Sequence, residues 1–344
     1  MNLLKSPLRS LLHLWCLCVF VVALVAEPNG VLGQTNETVW LESWNDCPTK
    51  RALVEYVGRV SDPNHKDFVP VPERIAVFDN DGTLWPENPI PFQLAYAFDI
   101  VTKRAANDLE FAKEPMVQAV LNKDIATLTA GPKHEGLLQV VAMTHAGMST
   151  EEFSKSVSDW IQTSKHPRYG RGYDKLTYVP MQEVLRYLRQ NEFKTYIVSG
   201  GGADFMRVWS ERVYGISPEQ VIGSAARMRF EMRDGKPVLI KTLDNLFVDD
   251  KAGKPVGIQM GIGRRPVVCF GNSDGDYEML QYTTIGNPRA SFGAIIHHTD
   301  AEREYAYDVA PKSTGKLVVG LQEASAQGWF VVDMKSDWGR VFEE

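Results

Sequence analysis

Short apolar runs alternate with amphipathic stretches along this chain. Ile75-Ala76-Val77-Phe78, Tyr196-Ile197-Val198 and Val267-Val268-Cys269-Phe270 are brief β-branched or aromatic runs, each followed at once by small or acidic residues. Unbroken apolar runs of that length predict strands buried on both faces of a parallel sheet, with ligands expected at their carboxyl ends. Between them, Met181, Val184, Leu185 and Leu188 share one helical face, and Phe205, Val208 and Trp209 share another before Gly215 offers a stop. The pattern predicts an α/β fold, a Rossmann-like doubly wound parallel sheet.

Two stretches break that alternation. Residues 86–174 carry helical periodicity without strand-like runs; Ser149 and Glu152 make a capping box ahead of Phe153, Val157, Trp160 and Ile161. This predicts an α-helical insertion lying over the carboxyl ends of the strands as a cap. A smaller insertion at 227–247 alternates around Asp234-Gly235, a favoured hairpin turn, and predicts a β-flap. The expected organisation is a catalytic core from 34–85 and 175–344, with the cap at 86–174. No repeat interrupts the chain.

Composition narrows the function. The 344 residues are 44% apolar and 23% charged, as in an ordinary globular protein, and the formal net charge is -6. No basic stripe announces nucleic-acid binding, so none is expected, and any phosphate specificity must be local. Residues 1–33 differ from the rest: Lys5 and Arg9 precede an apolar run at 11–26, and Ala23, Ala26 and Gly33 offer cleavage points. That is the layout of a signal peptide, shorter than the roughly 20 apolar residues that span a bilayer, with an uncleaved N-terminal anchor as the alternative. Export to a periplasmic or extracellular space is therefore expected, with membrane contact only through this segment. Beyond it only Cys47 and Cys269 remain, too few for a disulfide framework or a zinc cluster, and two unpaired thiols are expected.

The chemistry concentrates at the first strand. In Phe78-Asp79-Asn80-Asp81-Gly82-Thr83 two carboxylates leave one strand tip two residues apart, and Gly82 lets the chain turn sharply. One carboxylate can attack phosphorus while the other protonates the leaving oxygen and then activates water. Downstream, Ser199 and Gly200 in Val198-Ser199-Gly200-Gly201-Gly202 offer a hydroxyl and backbone N–H groups where phosphate is favoured. Lys254 fits a charge-neutralising lysine, with Lys251 as its rival. Asn272 and Asp276 in Gly271-Asn272-Ser273-Asp274-Gly275-Asp276 close the series.

These four motifs in this order resemble the haloacid dehalogenase superfamily over roughly residues 72–300, and the nearest members by the cap's position are exported acid phosphatases and the phosphoserine-phosphatase-like branch. The resemblance implies an Mg2+-dependent phosphatase for small phosphomonoesters. Asp79 is implied as nucleophile and Asp81 as general acid/base, its main-chain carbonyl also reaching the metal. Ser199, Gly200 and Lys254 are implied at the phosphate, and Asp79, Asp81, Asn272 and Asp276 at magnesium. Asn272 departs from the family pattern, which has an acid there, and Asp274 is a second candidate for that charge. Arg168 and Arg171, in an Arg/Tyr-rich segment, are further candidates for substrate binding. His297 and His298 are read as a strand end, and Trp85 as packing. A dehalogenase on the same scaffold, or an inactive phosphate- or metal-binding protein, are the rival readings; Asp81 argues against the first and Asn272 favours the second.

Overall fold

The computed structural model describes residues 40–128, 130, 135–309 and 314–344. The signal or anchor segment expected at 1–33 lies outside them. Among the described residues no helix is long and apolar enough to cross a membrane.

The three predicted apolar runs form strands β1 (Ile75–Phe78), β2 (Lys194–Gly202) and, after β3 (Val221–Ser224) and the hairpin β4 (Met228–Arg233) and β5 (Lys236–Lys241), β6 (Val268–Gly271). They are followed by β7 (Phe292–Thr299), β8 (Ala306–Tyr307) and β9 (Phe330–Asp333). The main sheet runs β3-β2-β1-β6-β7, parallel throughout, with β9 parallel and β8 antiparallel to β7. From β1 the chain first winds outward to β2 and β3, then returns to the other side for β6 and β7. The strand order therefore reverses at the tip of β1, where open α/β sheets open a crevice.

Strand periodicity splits the core in two. Ala76 and Phe78 join one apolar cluster with Ile197, Phe270 and Ile296, whereas Ile75 and Val77 join another with Val198, Cys269 and Ile295. Successive side chains point to opposite faces, so a strand without a polar position must be covered twice. Helix Val179–Gln190 covers one face with Met181, Val184, Leu185 and Leu188 buried, as its spacing predicts. Helix Gly253–Gly261 covers the other through Ile258. The face predicted from Phe205, Val208 and Trp209 is divided between two short helices, Ala203–Arg207 and Ser210–Tyr214, with Gly215 at φ 67° as the stop. The break falls at Trp209, whose ring is buried 4.1 Å from that of Trp85; that packing outweighs helical continuity.

Between β1 and β2 the described residues form helices. The capping box is present in both halves: Ser149 Oγ accepts from the Glu152 N–H at 3.1 Å and Glu152 Oε2 accepts from the Ser149 N–H at 2.7 Å. Phe153, Val157, Trp160 and Ile161 are the buried face of that helix, Thr150–Thr163. The hairpin turns at Asp234 and Gly235, both at positive φ, as a two-residue turn requires. Its end at Lys241 pairs with the helical segment, donating to the Met148 carbonyl and accepting from the Gly147 N–H. Cys47 and Cys269 are buried free thiols.

Candidate active site

The site grows from the tip of β1. The Asp79 N–H donates to the Phe270 carbonyl at 3.0 Å, the last rung of the ladder, and the chain then folds back so that the Asn80 carbonyl accepts from the N–H groups of Thr83 and Leu84. Gly82 stands at φ 78°, a conformation that suits glycine, and a Cβ there would fall 2.0 Å from Asn272 Nδ2. This turn leaves Asp79 and Asp81 lining the same cavity, of about 890 Å³.

Around Asp79 the other motifs converge. Lys254 is buried at the start of its helix and its ammonium donates to Asp79 Oδ1 at 2.6 Å, Asp276 Oδ1 at 2.5 Å and the Val198 carbonyl at 3.0 Å. Three acceptors match its three donors. Lys254, not Lys251, therefore reaches Asp79; Lys251 also lines the cavity, and its main-chain N–H donates to the Gly275 carbonyl. Ser199, Gly200, Gly201 and Gly202 form another wall. Ser199 Oγ accepts from the Gly201 N–H at 3.1 Å, and Gln93 Oε1 accepts from the Gly202 N–H at 2.7 Å.

The fourth motif is arranged differently from expectation. Asp276, expected at the metal, has both oxygens engaged by the chain: Oδ1 by Lys254, Oδ2 by the N–H groups of Asn272 and Ser273 at 2.9 and 3.0 Å. It positions the lysine and ties the turn rather than presenting a free ligand. Asp274, the second candidate, accepts from the N–H groups of Val318 and Gly320 through Oδ1 alone and still lines the cavity. Asn272 reaches the β1 turn: its Oδ1 accepts from Thr83 Oγ1 at 3.2 Å and its Nδ2 donates to Glu87 Oε1 at 2.7 Å.

Arg168 and Arg171 do not line the cavity. Arg168 donates to the carbonyls of Ala301 and Glu302 and stacks on Tyr305, and Arg171 donates to the Glu343 carbonyl. Their segment docks against the C-terminal part of the chain, where free carbonyls attract guanidinium groups. A mixture of arginine and tyrosine suits that docking as well as it suits a ligand.

Several groups around the site carry no motif. Glu87, Gln93, His145 and Asp250 line the cavity with the acids. Trp85 is buried packing, as expected, but its Nε1–H also donates to Asp81 Oδ1 at 2.6 Å. His298, at the end of β7, places Nε2 2.7 Å from the Gly82 carbonyl, so an N–H there donates to the turn, while Nδ1 meets Glu304 at 3.0 Å. A partial signal existed only for Glu87, an acid set between Pro86 and Pro89 just beyond the motif.

Burial governs the electrostatics. Loss of solvent raises the Asp81 carboxyl to about 6, against the Trp85 hydrogen bond and the Lys254 charge. Asp79 is held above the usual carboxylate range by burial and then by Asp276, against the pull of Lys254. Glu87 is raised by burial, with added repulsion from Asp81 and Asp79. Burial alone would lower Lys254, but Asp276 and Asp79 outweigh it and keep the ammonium charged. One buried cation thus faces more acids than it can neutralise.

The remaining walls come from both insertions. Leu137, Val141 and His145 contribute from the helical segment, Met228 and Lys241 from the hairpin. The result is a crevice with acids, an ammonium and a glycine-rich turn at its base and a largely apolar upper part.

A family model described as haloacid dehalogenase-like hydrolase matches residues 76–281, from β1 into the helix Tyr277–Thr284. Comparison with curated proteins finds no match. Among solved structures the chain is similar to a conserved protein of unknown function from Anaerococcus prevotii DSM 20548, at 16% identity over 73% of this chain and 85% of that chain, with a TM-score of 0.47. It is similar to a protein of unknown function from Bordetella pertussis Tohama I, at 18% identity over 76% and 99%, with a TM-score of 0.47. A phosphoserine phosphohydrolase-like protein from Francisella tularensis subsp. tularensis SCHU S4 matches at 14% identity over 74% and 98%, with a TM-score of 0.40.

Proposed function

Because the chain belongs to the haloacid dehalogenase-like hydrolases, we propose that it hydrolyses small phosphomonoesters through an aspartyl-phosphate on Asp79. The observation that carries this reading is the pairing of Asp79, held by Lys254, with Asp81 at about 6 on the same turn, both opening on one cavity. A dehalogenase has no alkoxide to protonate. An acid poised near neutrality beside the nucleophile suits an ester whose leaving oxygen needs a proton.

In the first step a carboxylate oxygen of Asp79 attacks phosphorus in line, the bond from phosphorus to the ester oxygen breaks, and Asp81 gives its proton to that oxygen. In the second step Asp81, now a carboxylate, takes a proton from water as the water oxygen attacks the same phosphorus. The bond to Asp79 then breaks and inorganic phosphate leaves. Lys254 neutralises Asp79 and the phosphoryl charge, and Ser199 with the main-chain N–H of Gly200 receives phosphoryl oxygens.

A magnesium ion fits the chemistry of the donors. The Asp79 carboxylate, the Asp81 main-chain carbonyl and the Asn272 amide oxygen would hold it, and when bound it would supply positive charge that offsets the repulsion between carboxylate and phosphate. Among the described residues no three His, Cys, Asp or Glu side chains form a ready cage. Magnesium does not call for one, since it keeps waters and takes substrate oxygens beside one or two carboxylates. The helical segment 86–174 is read as the cap, and residues 1–33 as an export signal; fractionating cells that express the full chain tests the latter.

Asp79→Asn keeps the side-chain volume and removes the nucleophile. Hydrolysis of p-nitrophenyl phosphate is expected to fall to background while the melting temperature is held or raised. Retention of even a tenth of the wild-type rate would eliminate the nucleophile assignment.

A further inference from the structure

Asn272 stands where the family pattern has an acid, and the fold sets another acid directly against it. Glu87, 4% exposed, accepts at Oε1 from Asn272 Nδ2 at 2.7 Å and from the Tyr307 hydroxyl at 2.8 Å. With its nitrogen so committed, the amide turns Oδ1 toward the β1 turn, where Thr83 meets it. Two glycines permit the approach. A Cβ on Gly82 would fall 2.5 Å from Glu87 Oε1, and one on Gly315 would fall 2.3 Å from the same atom. Glu87 is therefore enclosed by the turn after β1, by Asn272, by Tyr307 and by Gly315, yet still lines the cavity beside Asp79 and Asp81. A carboxylate held this tightly among other acids is electrostatically costly unless a cation shares the site.

Resting on the phosphatase reading and the divalent ion it calls for, we infer that Glu87 supplies the negative charge that Asn272 lacks, so that the site's anionic partner has moved from the fourth motif to the segment after the first. Glu87 is a positioning residue: it fixes which end of the Asn272 amide accepts, and it adds a carboxylate to the field at the ion. Position 272 must then be neutral, because aspartate there would set two carboxylates at hydrogen-bond distance with no donor between them.

The pair is tested as a charge swap on the full-length protein, with Mn2+ as probe by electron paramagnetic resonance titration and the Mg2+-induced shift in melting temperature as a second readout. Glu87→Gln, which retains an acceptor oxygen for Tyr307 and Asn272, is expected to weaken Mn2+ binding about ten- to hundredfold, the usual cost of losing a supporting group at a metal site. Asn272→Asp alone is expected to bind no tighter than wild type and to melt lower in EDTA. The double variant Glu87→Gln/Asn272→Asp is expected to return to within a few-fold of wild-type affinity. Wild-type affinity in Glu87→Gln, tighter binding by Asn272→Asp, or a double variant no better than the weaker single one would each overturn the inference while leaving the phosphatase reading intact. Should Glu87→Gln not fold, the Asn272→Asp arm decides alone. A wild-type protein that binds neither ion removes the premise itself.

Discussion

Asp249 is the most exposed test of how burial sets charge at single residues here. It lies one residue before the cavity-lining Asp250, is fully buried, and its carboxylate has no closer help than a loose main-chain contact from Ser199. Burial raises its carboxyl to about 7, against the Lys254 charge and with repulsion from Asp250. The unfolded chain holds this carboxyl near its ordinary 3.8. Between those values the native state binds more protons than the unfolded one, so the contribution to stability is present below about 4 and is lost as pH rises through 7. Asp249→Asn removes that loss. Its stability relative to wild type should climb from near zero at pH 4 to on the order of 2–4 kcal/mol at pH 8, read by urea denaturation at both values. Parallel pH curves for the two proteins would show that the carboxylate finds a partner in solution.

At the level of elements, the capping box of helix Thr150–Thr163 and the glycine run that ends β2 do different work. The box satisfies two N–H groups that helix geometry leaves free and fixes where the helix starts. Ser149→Ala should therefore cost about 1 kcal/mol, seen as a lower urea midpoint at unchanged slope, with little effect on the chemistry at Asp79. An unchanged midpoint would mean that burial of Phe153 and Trp160 alone sets the helix start. The glycine run leaves backbone room, because Gly202 meets Gln93 where a Cβ would come within 2.7 Å.

Across the whole molecule, three parts of the chain close one crevice, and Lys241 joins them. Its main chain bonds to Gly147 and Met148, its ammonium pairs with Asp204, and it lies 4.6 Å over the Phe153 ring. Hairpin, helical segment and core helix Ala203–Arg207 thus share one cation. Lys241→Ala should loosen the upper wall without touching Asp79 or Asp81. The expected result is a several-fold rise in KM for bulky phosphomonoesters with kcat kept within about twofold, since contacts to the remote part of a substrate act mainly through binding. An equal fall in kcat with KM unchanged would place Lys241 in the chemistry instead.

The chain's local patterns determined more of this protein than its global ones. Apolar runs ended by acids or glycines give buried strands with reactive tips whatever surrounds them, so Asp79, Asp81, Ser199 and Lys254 were legible, as were the capping box and the Asp234-Gly235 turn. Lys254 over Lys251 was decided in three dimensions, because which ammonium turns inward depends on where the helix Gly253–Gly261 begins. The same holds for Asp276, whose charge is consumed by Lys254 and two backbone N–H groups, and for Arg168, which finds carbonyls from residues 301 and 302. His298 and Tyr307 were invisible in the sequence as site groups, and Glu87 showed only through its place between Pro86 and Pro89. Glu87 meets Asn272, His298 meets Gly82 and Tyr307 meets Glu87 across separations of about two hundred residues, and a hydrogen bond between segments so far apart leaves no periodicity or spacing in either one. What a strand or a turn does is written in its own few residues; which charges it faces is fixed only when the sheet brings its strand ends together.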